Sequence, residues 1–231
     1  YYRSPTLAGF VFSAGYSQDP DSFDFDWEDK EGVFDSNDYW EVALRYAGEF
    51  NGVRIAAGVG YRHQNGNVNW KTIDWIPDSS TGEALEFGED IDVGVWLGSA
   101  SVMHMPTGLF VSGGVAQAKS DRVRVEEVID GRLKQTGFWV MAGIEKNFFG
   151  PGTTTVYGEY SEVNHNSLTK EAIGIGDGSY WGLGVVQRID AAATDLFLKY
   201  RRVEVEDSLL AEGGELNTEA NVVIGGMRIQ F

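Results

Sequence analysis

The chain has 231 residues, 42% of them hydrophobic and 13% aromatic, with 30 glycines, 5 prolines and no cysteine. Its formal net charge of -17 leaves no cationic surplus to displace counterions from phosphates, which excludes nucleic acid as a partner. The missing cysteines remove disulfides, thiolate metal sites and thiol nucleophiles, and no window holds the roughly 18 consecutive apolar residues a membrane helix needs.

That last test does not reach sheets, whose strands alternate apolar with polar residues and average to a middling hydropathy. Taken in chain order, the first element is a run that closes on Tyr16. Residues 17–38 read as a long joint rich in carboxylates. Within it Asp21, Asp24, Asp26 and Glu28 stand at spacings that suit calcium, a hard cation that takes oxygen ligands. It is no EF-hand, because Asp29 stands where that loop needs glycine.

Next come Trp40, Val42, Leu44 and Tyr46, alternating with Glu41, Ala43, Arg45 and Ala47. Val53, Ile55, Ala57, Val59 and Tyr61 alternate in the same way with Arg54, Ala56, Gly58, Gly60 and Arg62. This period of two marks a strand with two different faces. Asn51-Gly52 between the two runs predicts a tight antiparallel hairpin, since both residues tolerate positive φ.

Further alternating runs follow, about ten in all. They are separated by short joints at 105–108, 149–153 and 190–192 and by long ones at 64–90, 119–135, 164–178 and 206–220. Short and long joints alternate, which puts every long loop at one end of the sheet. This is the asymmetry of a bacterial outer-membrane barrel, with tight periplasmic turns and long outer loops.

With the short turns periplasmic, rising strands close on Tyr16, Tyr61, Tyr160 and Tyr200 and descending ones open on Trp40, Phe138 and Trp181. That predicts an aromatic girdle at the outer lipid–water boundary. Tyr46, Phe50, Phe148 and Phe231 supply the lower one. The fold class is therefore an all-β antiparallel transmembrane barrel forming one domain over 1–231.

No G-x-S-x-G elbow, P-loop or paired-histidine motif is present. His63, His104 and His165 read as surface residues at a strand end, a turn and a loop. Gly174-Ile175-Gly176-Asp177-Gly178-Ser179 precedes a strand rather than a helix, so it reads as a flexible outer loop instead of a phosphate cradle.

Arg3-Ser4-Pro5-Thr6-Leu7-Ala8-Gly9-Phe10, the run from Tyr39 to Phe50 and the run from Val53 to Tyr61 together resemble the general diffusion porins of Gram-negative bacteria, the alphaproteobacterial type in particular. The resemblance covers nearly all of the chain. It implies a barrel of about sixteen strands, with about six strands and an inward-folded constriction loop preceding this stretch. It implies a water-filled channel for passive diffusion of ions and small hydrophilic solutes, multi-pass in the outer membrane, homotrimeric, and in need of no cofactor. Outer-membrane lipids with lipopolysaccharide and the barrel-assembly machinery are the implied partners. For the last of these the signal is the terminal Phe231 with Val223, Met227 and Ile229 on its face.

On this reading the inward, pore-lining positions are Glu41, Arg45, Arg54, Arg62, Asp92, Glu145, Glu159, Lys199, Arg201 and Arg228. The acidic loops concentrate cations at the mouth, an expectation of cation preference. Two other readings fit the same strands. One is a complete ten-stranded outer-membrane barrel acting as a surface enzyme, and the other is a structural barrel linked to lipopolysaccharide through calcium.

Overall fold

The computed structural model describes residues 1–18, 23–27, 30–70, 91–125, 129–167, 175–207 and 216–229. Its strands are β1 (Tyr2–Arg3), β2 (Phe10–Gln18), β3 (Phe23–Trp27), β4 (Lys30–Phe50), β5 (Val53–Trp70), β6 (Ile91–His104) and β7 (Leu109–Val125), then β8 (Ile129–Lys146), β9 (Thr154–His165), β10 (Ile175–Ile189), β11 (Thr194–Asp207) and β12 (Leu216–Ile229). The ten long ones, β2 and β4 to β12, are the alternating runs of the sequence. All join one antiparallel sheet along the path β1-β2-β4-β5-β6-β7-β8-β9-β10-β11-β12, and β3 pairs with β4 beside that path. Pairing on both sides satisfies each interior strand's backbone groups, the condition for crossing lipid with strands. Among the described residues no helix is long and apolar enough to cross a membrane.

The short joints form as their residues dictate. Phe50 pairs with Val53, leaving Asn51 (φ 49°) and Gly52 (φ 74°) as a two-residue turn with both φ positive. At the start of the chain the bridge Leu7↔Phe10 encloses Ala8 (φ 49°) and Gly9 (φ 86°) in the same way. A valine at 52 would have to adopt this left-handed backbone with a branched Cβ. Gly52→Val is therefore expected to cost about 1–2 kcal/mol, visible as a lower unfolding temperature in detergent.

The long joints differ from expectation. The β4–β5 hairpin stays paired as far as Gly32↔Trp70, and β7–β8 as far as Val125↔Ile129. Much of what reads as loop is thus protruding ribbon. Alternation of apolar residues signals a strand only where one face meets something apolar, so strands that run on into water lose the signal while keeping their hydrogen bonds. Register shifts at Asp35/Asp38, Lys119/Arg122 and Ile175/Gly178 all fall at this end. Residues 175–179, expected in a loop, open β10.

The sheet has no conventional core. Phe12, Leu44, Val59, Val115, Leu183, Leu198 and Met227 share one face and range from 43% (Phe12) to 66% (Met227) exposed. An apolar surface this continuous exceeds what a protein keeps in water and calls for lipid as its solvent. At its outer edge lie ring contacts Trp40–Tyr61 (5.2 Å), Tyr61–Trp96 (4.6 Å), Phe138–Tyr160 (5.7 Å) and Trp181–Tyr200 (5.5 Å). The tyrosine hydroxyls at this level reach toward the loop end. Tyr16 donates to Asp38 Oδ1 (3.2 Å), Tyr160 to Glu162 Oε2 (2.7 Å) and Tyr200 to Asn221 Oδ1 (2.6 Å). Rings in the apolar zone with polar tips beyond it are what an interfacial girdle requires.

Candidate pore-lining face

Residues paired across a ladder point to the same face, so the register assigns every strand position to one side. One row runs Arg45, Gly58, Ser99, Gly114, Trp139 and Ser161 from β4 to β9. The next runs Met141, Glu159, Gly182, Arg201 and Val222. These rows define a polar face opposite the apolar one.

Nine of the ten expected residues lie on it: Glu41, Arg45, Arg54, Arg62, Glu145, Glu159, Lys199, Arg201 and Arg228. Asp92 does not. It pairs with Asn65, on the side of Tyr61 and Trp96, and is corrected to the outer face beyond the girdle. The inward positions of that half of β6 are Val93, Val95 and Leu97. With apolar residues on both sides of the strand, the lone aspartate suggested the wrong parity.

Among the described side chains the cations of this face are Arg3, Arg45, Arg54, Arg62, Arg188, Lys199, Arg201 and Arg228, and they outnumber the carboxylates Glu41, Glu49, Glu145, Glu159 and Asp195. Some are paired. Arg201 grips Glu159 through Nε–Oε1 (2.6 Å) and Nη2–Oε2 (3.1 Å), with its guanidinium 4.3 Å from the Tyr180 ring. Arg228 Nε donates to Asp195 Oδ2 (3.1 Å), and Arg54 reaches Glu49 at 3.5 Å. Arg62 donates to Gln64 and lies over the Tyr39 ring at 4.9 Å. Among the described residues Arg45 and Lys199 have no partner. The charge of the whole chain is thus inverted on this wall.

Several bulky inward side chains lie beside a glycine on the neighbouring strand. A Cβ at Gly114 would sit 2.6 Å from Trp139 Nε1, one at Gly226 2.7 Å from Phe197 Cζ, and one at Gly143 2.9 Å from Phe110 Cζ. Tyr157 covers Gly184 likewise, and Gly182 leaves room for the Glu159–Arg201 pair. Glycine weakens a strand interior, so its repeated use opposite large residues lets them lie flat and keeps the face open. Neither the aromatic Trp139 nor the exposed Leu97 stands out in the sequence. Phe138-Trp139-Val140-Met141 is apolar throughout, although Trp139 shares its parity with Glu145.

The other expected sites divide as follows. Val223, Met227 and Ile229 share the apolar face, paired with Tyr200, Leu196 and Thr194, while Phe231 lies outside the described residues. Asp21 and Glu28 also lie outside them, and Asp24 and Asp26 belong by backbone to β3. Among the described residues no cluster of three or more histidines and carboxylates is placed to hold a metal. His63 stands in the girdle, 5.8 Å from Trp40, and His104 Nδ1 meets Thr107 Oγ1 at 2.8 Å in its turn. His165, expected on the surface, instead has a side chain only 7% exposed, at the end of β9 beside Asp177.

One face for lipid, one lined with ions and small residues, aromatics at the edge and all long connections at one end define the wall of a transmembrane β-barrel channel. In keeping with this, the Gram-negative porin family matches residues 1–208, and the chain belongs to that family. No curated protein matches the sequence. Family and sheet together place the chain in the outer membrane as a porin channel for passive diffusion.

Proposed function

We propose that this chain lines a water-filled pore for ions and small hydrophilic solutes in a homotrimeric porin. The observation that carries the reading is the inner face itself, where charged side chains stand among glycine, alanine and serine with water-sized room around them. Such a wall conducts hydrated solutes without a carrier's conformational cycle. In planar bilayers the protein is expected to give large, ohmic steps closing in threes. Well-folded protein without conductance would overturn the reading.

The wall's cations outweigh the acidic outer segments in setting selectivity. Charges at a mouth in open water are screened over about 10 Å at 0.1 M salt, whereas wall charges act on a solute at contact. Arg45→Glu and Lys199→Glu are each expected to move the reversal potential toward cation preference. An unmoved potential would take those side chains off the conduction path.

For partners we propose outer-membrane lipids with lipopolysaccharide around the apolar face, and the barrel-assembly machinery reading Val223, Met227, Ile229 and Phe231. Calcium held by Asp21, Asp24, Asp26 and Glu28 would bridge to anionic headgroups, and chelation is the test of that contact.

A further inference from the structure

Arg45 and Trp139 occupy one row of the inner face, separated by Gly58, Ser99 and Gly114 alone. They lean toward each other. Arg45 Cγ lies 3.6 Å from where a Cβ of Gly58 would be, and Trp139 Nε1 lies 2.6 Å from that of Gly114. Their backbones are four strands apart, about 19 Å at the usual spacing, and the two side chains narrow this from both ends. Between them is a hollow of 960 Å³, which Arg3 and Leu97 also line. Ser101 and Ser112 satisfy each other at 2.8 Å beside its floor.

Neither the guanidinium of Arg45 nor the indole N–H of Trp139 has a partner among the described residues. The indole is 40% exposed and Leu97 51%. A wall built only for hydrated ions has no use for an exposed indole and leucine. A cation at one end and an apolar ring at the other match a solute with both features.

We infer that this row is a solute subsite for a small planar carboxylate, an arene carboxylate in chemical class, which rests on the channel reading above. The carboxylate takes the Arg45 fork in charge-assisted hydrogen bonds. The ring lies against Trp139 and Leu97 over a floor of glycine and serine that no described residue fills. A neutral sugar would leave the guanidinium unanswered, and an aliphatic acid would leave the indole bare.

The test is block of single-channel current by sodium benzoate, with acetate supplying charge alone and benzyl alcohol ring alone. Benzoate is expected to block at concentrations about tenfold lower than either control. Trp139→Leu and Arg45→Met should each weaken its block about tenfold, while Trp139→Phe retains most of it. Equal block by acetate or benzyl alcohol, or benzoate block unchanged in Trp139→Leu, overturns the proposal. Should the bilayer show no conductance, the channel reading fails by itself. Calorimetric titration of detergent-solubilised protein with benzoate then decides the subsite, binding that is lost in Ser99→Val supporting it and no binding refuting it. The same titration serves if either large variant fails to fold.

Discussion

Gly184→Val is expected to lower single-channel conductance while leaving the barrel assembled. Gly184 faces inward on β10, opposite Tyr157 of β9, and a Cβ there would fall inside van der Waals contact with the phenol ring. The ring cannot retreat toward β8, because the space over Gly143 is already taken by Phe110, whose Cζ lies 2.9 Å from where a Cβ there would be. It can only swing away from the wall, into the space solutes use. Displacing a packed ring costs about 1–3 kcal/mol, enough to depress the unfolding temperature and too little to prevent folding. Gly158→Val is the control. That residue faces lipid, and its new Cβ would meet Leu183 Cδ2 at an ordinary 3.6 Å. Equal conductance in the two variants would mean that Gly184 does not guard the lumen.

Arg201→Ala should destabilise more than Glu159→Ala, although both cut the same ion pair. The Glu159 side chain is 7% exposed and that of Arg201 27%. Removing the arginine strands a nearly buried carboxylate without its two donors, a loss of about 3–5 kcal/mol. Removing the glutamate leaves a guanidinium that can turn to water and still rest on Tyr180, at a cost of about 1.5–3 kcal/mol. The double variant should cost less than the two single ones added, since the second deletion removes a group the first had already left unpaired. Thermal unfolding in detergent gives all three values. Strict additivity would show that the pair contributes nothing as a pair. A reversal potential recorded on Glu159→Ala should also move toward anions, because a neutralised cation is set free on the wall.

What could be read from the sequence was whatever depends on parity and local turn chemistry. Asn51-Gly52 dictates its turn by backbone sterics alone. Trp40, Tyr61 and Tyr200 mark their face because aromatic and charged residues alternate cleanly around them. Where both faces carry apolar residues, parity loses its label. Asp92 was drawn inward by its charge, although it stands an even four residues from Trp96 and so shares that outward face. Trp139 was hidden among Phe138, Val140 and Met141. The Glu159–Arg201 pair joins residues 42 apart through a glycine on the intervening strand. Only the register of β9, β10 and β11 brings them together, and no local pattern encodes it. His165 read as a loop residue because β9 runs on past the last apolar alternation that announces it.

The register also limits how such a chain can change over generations. Deleting one codon at the start of a strand would turn every later side chain of that strand to the opposite face, setting Arg54 in the bilayer and Val59 in the pore. Substitutions keep the faces and length changes scramble them. Insertions and deletions between related porins should therefore gather at the end where the ribbons protrude, while the strands between the two aromatic edges drift in identity and hold their length.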